Sequence, residues 1–173
     1  MLQTMARLLT LFPQLASGLV LTCLLCLGAP LSPAWADQPI LSVAGPLDQG
    51  EPATFSLADL KALGMQTITT TTPWTGDETP TFTGPLLRDV LAAAKEAGRR
   101  LTVTAKDGYS VQIPFMDAAD WNVILAIEMD GAPLDPTTYG PAWVIYPYDT
   151  NPILITDLYQ ERSIWKVVRI DME

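Results

Sequence analysis

Histidine is absent from the 173-residue sequence, and the only two cysteines, Cys23 and Cys26, lie close to the N-terminus. Without histidine there is no Ser-His-Asp triad, no His-ligated zinc and no His-ligated haem. Charge is scarce at the start: Arg7 is the one charged side chain before Asp37. Residues 14–28, QLASGLVLTCLLCLG, are apolar, Pro30 and Pro33 break the run, and Ala34-Trp35-Ala36 supplies an A-x-A site. This pattern predicts a secretory signal peptide over residues 1–36, cleaved after Ala36. A single N-terminal membrane anchor is the alternative, but the run is short for a span. Neither cysteine follows a lipobox-like triplet. Export would leave 137 residues (173 minus 36), the domain 37–173, in the periplasm without a cysteine. That excludes a disulfide, a thiolate metal ligand and a cysteine nucleophile from the exported chain.

Basic residues are also few. Ten Lys and Arg face 19 Asp and Glu, a formal net charge of −9. Loss of Arg7 alone would make the exported chain −10. Such a chain is a poor ligand for nucleic acid or an anionic membrane, and neither is expected as a partner. There is no phosphate loop, no G-x-G-x-x-G and no EF-hand pattern. No internal repeat, low-complexity linker or long charge run divides the domain.

What is present reads as alternating short strands and turns. Residues 40–47, ILSVAGPL, alternate and end at Gly-Pro, a strand. Thr54-Phe55 is a short strand edge. Ser56-Leu57-Ala58-Asp59 is a capping box for a helix to Leu63, stopped by Gly64. Four threonines, Thr69 to Thr72, close a predicted strand from Thr67, because β-branched residues suit a pleated chain and Pro73 cannot continue the ladder. Asp77–Thr81 is a polar loop. Pro85 opens the strongest helix, PLLRDVLAAAKEAG, with Leu86, Leu87, Val90, Leu91 and Ala94 on one face and Gly98 at its end. Lys106-Asp107-Gly108 turns a hairpin between 101–105 and 109–113. Asp117–Asp120 is a helical turn, 123–128 a strand followed by an Asp130-Gly131 turn, and 142–146 a buried strand. A helical turn over 156–161 and a last strand over 164–170 complete the chain. The fold class is α+β: a compact mixed β-sheet with one main helix and short helical turns.

Tryptophan is the unusual resource. Trp74, Trp121, Trp143 and Trp165 each fall near a strand end, and an indole is a flat apolar face suited to stacking on a planar heterocycle. Core packing is the alternative for each. Tyr146-Pro147-Tyr148-Asp149-Thr150-Asn151-Pro152 is a loop rich in donors and acceptors. The Asp149 carboxylate can accept the paired N–H groups of a guanine-like or pterin edge, or cap its own turn. Asp77 and Glu78 read as solvated, and Asp117 and Asp120 as helix caps.

Four segments, taken in order, carry a resemblance. They are the strand before Trp74 leading to FTGPLLRDVL, then DGYSVQIPF, then ILAIEMDGAPLDPTTYGPAWVIYP, then RSIWKVVRIDM. Their order and spacing over residues 40–172 resemble the molybdopterin-binding domain of the sulfite oxidase family. The resemblance implies that fold. It also implies a molybdenum-ligating cysteine four residues before a tryptophan like Trp74. Thr70 stands there, and a hydroxyl is a harder ligand with a far higher pKa than a thiol. An arginine and a lysine that help hold the family's anionic cofactor are matched by Trp143 and by Trp165 of Ser163-Ile164-Trp165. Arg88, Arg162, Lys166 and Arg169 are the remaining candidates for an anionic tail.

These departures resemble the small cysteine-free exported branch of the family, periplasmic pterin-binding regulators of the PruR type. That likeness implies a non-catalytic protein that binds a reduced pterin without molybdenum. It implies a partner, the periplasmic domain of a membrane-bound cyclic-di-GMP enzyme. The implied site has Trp74, Trp143 or Trp165 stacking on the ring and Asp149 at its amino edge. Thr70, Thr71 and Thr72 supply hydroxyl contacts, with Tyr148, Arg162 and Ser163 beside them. A molybdopterin-dependent oxidoreductase, or a subunit of one, without a cysteine ligand is the alternative. A domain with an empty pocket, acting as a binding module, is the third.

Overall fold

The computed structural model describes residues 38–45, 50–96 and 98–173. The signal-peptide reading and the predicted strand end at Leu47 fall outside the described residues. No described helix is long and apolar enough to cross a membrane.

Strands β1 (Pro39–Ala44) and β2 (Ala53–Ser56) run into helix α1 (Leu57–Ala62). The predicted capping box is present: the Ser56 hydroxyl accepts from the Asp59 N–H at 3.2 Å, and the Asp59 carboxylate accepts from the Ser56 N–H at 2.8 Å. Gly64 follows with φ +93°, a conformation open to glycine. Strands β3 (Gln66–Thr69) and β4 (Thr81–Gly84) pair antiparallel, and helix α2 (Leu87–Ala94) buries Leu87, Val90, Leu91 and Ala94. The hairpin β5 (Arg100–Ala105) and β6 (Ser110–Pro114) forms as predicted, with Gly108 at φ +88° in its turn. After α3 (Phe115–Asp120) come β7 (Ile124–Ala126), β8 (Glu128–Met129), β9 (Ala132–Pro133) and β10 (Trp143–Ile145). Two 3₁₀ turns, Tyr148–Thr150 and Pro152–Leu154, lead to α4 (Asp157–Arg162) and the last strand, β11 (Val167–Met172).

The α+β class holds, with three sheets in place of one. The largest is mixed, in the order β2-β1-β11-β5-β6, with β1 and β11 parallel and the other pairs antiparallel. A four-stranded sheet runs β3-β4-β8-β9, and β7 pairs with β10 alone. The cause lies in the run 123–128, which reads as one strand but serves two sheets. Ile124–Ala126 pairs with β10, while the Ile127 N–H turns to the Thr83 carbonyl at 2.9 Å and Glu128 continues on β4. Both faces of the run are buried, so no alternation marks the break.

Three element ends differ from expectation for local reasons. The threonine strand stops at Thr69, because Thr71 and Thr72 give their N–H groups to side chains. Helix α2 ends at Ala94, where Lys95 takes a left-handed conformation at φ +58°, before Gly98 is reached. The final strand starts at Val167, because Lys166 has φ +57°.

Two apolar clusters result. The larger lies under the five-stranded sheet and α2 and includes Val43, Leu91, Val103, Val144 and Ile170. The smaller contains Phe82, Ile124, Ala126, Leu134, Trp143 and Ile145, with Trp74, Tyr139 and Trp165 packed on its border. Strand β10 joins them, sending Val144 one way and Trp143 and Ile145 the other. Gly84 marks a tight backbone seam: an added Cβ would sit 2.0 Å from the Leu125 carbonyl oxygen. Gly84→Ala is expected to cost about 1–3 kcal/mol, as overpacking does. A urea melt checks it: the midpoint should fall with an unchanged slope. An unmoved midpoint would mean that β4 and β7 separate freely.

Candidate functional site

The threonine run is a latch. Thr70 is fully buried, and its hydroxyl oxygen accepts from the Asp149 N–H at 3.2 Å. Thr71 gives its N–H and its hydroxyl to the two Asp149 carboxylate oxygens, at 3.0 and 2.9 Å. Asp149 therefore ties residues 70–71 to the first 3₁₀ turn, and the paired acceptors expected to read a ligand edge already hold Thr71. Thr72 is buried and builds the next turn: its hydroxyl accepts from the Trp74 N–H at 3.3 Å and bonds the Thr75 hydroxyl at 3.0 Å. That turn presents Trp74.

Trp143 is fully buried. Its indole N–H donates to the Ser163 carbonyl at 3.1 Å. The Tyr139 ring stacks on it, centroids 4.3 Å apart at 24°, and Phe82, Trp74 and Trp165 meet it edge-on at 5.3 to 6.0 Å. Trp143 thus has no face left for a ligand, which corrects its expected stacking role. The reason is its strand: β10 is buried on both sides, so its indole points into the smaller core. Tyr139, which no local pattern singles out, takes the stacking position and donates its hydroxyl to the Trp74 carbonyl at 3.1 Å.

In front of this post, Trp74 and Trp165 are half-buried and meet at 5.2 Å and 64°. Together they wall a cleft of about 650 Å³, within the usual range for a small-molecule site. Ser163 and Ile164 form part of its lining, and Asp107, Asp157, Gln160 and Glu161 provide its polar side. Among the described residues, neither lysine nor arginine lines it.

The remaining expected contacts point elsewhere. Tyr148 is buried; its hydroxyl donates to the Tyr159 carbonyl at 3.2 Å and bonds the Ser163 hydroxyl. Burial pushes its phenol up to about 12. Arg162 pairs with Asp117 at 2.8 Å and lies over the Tyr159 ring, 5.4 Å from its centroid. The same Asp117 oxygen accepts the Tyr146 hydroxyl at 2.7 Å. Asp117, expected as a helix cap, is instead a buried hub joining α3, β10's end and α4. Burial, with Asp117 second, raises the Tyr146 phenol far above its ordinary value, so it stays a donor. Arg88 donates to the Asn122 side chain at 2.7 Å and lines a separate cleft of about 620 Å³ beside β3. Arg169 bonds the Asp171 carboxylate at 2.8 Å.

Three of the ten expected residues, Trp74, Ser163 and Trp165, therefore share the cleft. The others support it or face away. Asp157, Gln160 and Glu161 escaped notice, although their i, i+3, i+4 spacing puts them on one helix face. Trp143→Ala should lower stability by roughly 3–5 kcal/mol, as loss of a buried indole does, so its unfolding midpoint must be read alongside any change in ligand affinity. A midpoint near wild type would mean that the stacked Tyr139 refills the void.

The sequence profile described as "Oxidoreductase molybdopterin binding domain" matches residues 32–149. Among solved structures, the sulfane dehydrogenase SoxCD from Paracoccus pantotrophus is similar, with a TM-score of 0.57 and 19% identity. The alignment covers 76% of this chain and 37% of that one, so this chain spans well under half of that relative. At that identity the likeness concerns the fold. A search of curated proteins gave no match. The chain belongs to the oxidoreductase molybdopterin-binding domain family and has the sulfite-oxidase-type fold.

Proposed function

We propose that the protein is a non-catalytic pterin-binding protein of the periplasm. It relays pterin status to the periplasmic domain of a membrane-bound signalling partner, with control of cyclic-di-GMP as the output. The observation that carries this reading is the cleft itself: two half-buried indoles and no lining cation. A flat ring lies on one indole and meets the edge of the other, each contact worth about 0.5–1.5 kcal/mol beyond area burial. With one charge-assisted hydrogen bond of about 1.5–3 kcal/mol, micromolar affinity is within reach.

The family's molybdenum cofactor fits these residues poorly. Where the family has a thiolate, Thr70 offers a buried hydroxyl already bonded to the Asp149 N–H. Where cations hold the anionic end, Trp143 is core and Trp165 is wall. Arg162 is engaged by Asp117, Arg88 by Asn122 and Arg169 by Asp171, and Lys166 does not line the cleft. Family membership favours the second reading, an oxidoreductase or its subunit that holds molybdopterin without a cysteine; the donor set opposes it.

Mass spectrometry and metal analysis of small molecules released from the purified protein decide between the two. A stoichiometric bare pterin without molybdenum is expected; molybdenum with a phosphorylated pterin would establish the oxidoreductase reading. Trp74→Ala and Trp165→Ala should each weaken pterin binding at least about tenfold, roughly 1.4 kcal/mol, in a tryptophan-fluorescence titration. Unchanged affinity in both would move the ring out of this cleft. Thr70→Cys should acquire no molybdenum from a molybdate-fed host, because a thiolate alone leaves the anionic end unheld. Stoichiometric metal in that variant would show that another part of the chain holds the tail.

A further inference from the structure

The cleft's polar side is acidic. Asp107, Asp157 and Glu161 line it, all three exposed at the rim, and no lysine or arginine joins them. The cations nearest in sequence do not line the cleft: Lys106 and Lys166 are absent from its wall, and Arg162, next to Glu161, is turned to Asp117. Asp107 accepts from the Tyr109 N–H within its own turn. Among the described residues, Asp157 and Glu161 have neither a side-chain hydrogen bond nor an ion pair, unlike Asp149, whose two oxygens hold Thr71.

Helix α4 holds these two acceptors in place. Asp157, Gln160 and Glu161 lie on the face toward the cleft. The opposite side is pinned, with the Tyr159 ring 5.4 Å from the Tyr146 ring and Arg162 on Asp117 at 2.8 Å. Carboxylates with free lone pairs, carried on this pinned helix, can accept adjacent N–H groups side by side. The same charges repel an anion. Charges closer than a Debye length (~10 Å at 0.1 M salt) are only partly screened, so a phosphate held against this wall feels the carboxylates that line it.

We infer that the cleft selects planar ligands with an amine-bearing edge and rejects those with a phosphate tail, and that Asp157 and Glu161 are its edge-reading acceptors. This rests on the pterin reading for the ring and adds the charge rule that sorts one pterin from another. It moves edge recognition from Asp149 to α4.

Calorimetric titration with 7,8-dihydroneopterin and with its triphosphate, under anaerobic conditions, tests it. At low salt the unphosphorylated compound should bind at least about tenfold tighter, and the ratio should shrink towards one at 1 M salt, where the Debye length is about 3 Å. The double variant Asp157→Asn, Glu161→Gln should reduce the ratio and weaken dihydroneopterin binding at least about tenfold. Its melting temperature should match wild type, because neither carboxylate has a partner to lose. Equal or tighter binding of the triphosphate, or an unaltered double variant, overturns the inference. If neither pterin binds, thiamine and thiamine phosphate are titrated in the same way. A preference for thiamine there would keep the charge rule and discard the pterin reading. No binding by either pair would discard both.

Discussion

Trp143 donates its indole N–H to the Ser163 carbonyl from a position with no solvent exposure, and the cleft is organised around that bond. A buried N–H left unpaired costs about 1–3 kcal/mol, so the bond fixes residue 163 against strand β10. The Val144 N–H reinforces it by donating to the Ile164 carbonyl at 3.0 Å. With 163–164 fixed, Trp165 has one direction to take. Tyr139 covers the face of Trp143 and reaches across to hold the Trp74 carbonyl, which fixes the other wall. The two half-buried indoles are thus positioned by a fully buried one.

Two carboxylates do comparable work outside the cleft. Asp149 binds the threonine run through both oxygens and its own N–H, tying residues 70–71 to the turn at 148–150. Asp117 gathers Tyr146 and Arg162 on one oxygen and so locks α4 to α3. A buried ion pair of this kind adds little net stability against an apolar substitute, but removing one partner leaves a charge stranded. Its effect is positional: it takes Arg162 out of the cleft and leaves Asp157 and Glu161 facing in.

The family's fold is kept. Among the described residues its three sheets carry a Thr70 latch, a core Trp143 and a cleft-lining Trp165. A cleft walled by aromatic rings and rimmed by carboxylates has the chemistry to stack a flat ring and to accept from an N–H edge. Fold alone does not carry function, so the site is read from its own residues.

Local chemistry was legible in the sequence wherever a few adjacent residues decide the outcome. The Ser56–Asp59 capping box, the apolar face of α2, the Gly108 turn and the hairpin it joins all follow from such short-range rules. The sequence also singled out Trp74 and Trp165, which the structure places in one cleft lining. Tertiary structure alone decided which indole is core and which is wall, because Trp143 and Trp165 look alike until β10 is buried on both faces. It alone spent Asp149 on Thr71, 78 residues away in sequence, and Arg162 on Asp117, 45 away. Hydrogen bonds over such separations leave no periodicity in a chain. The sign of the cleft's charge was therefore hidden until folding brought residues 107, 157 and 161 to one cleft and turned Arg162 away to the buried Asp117.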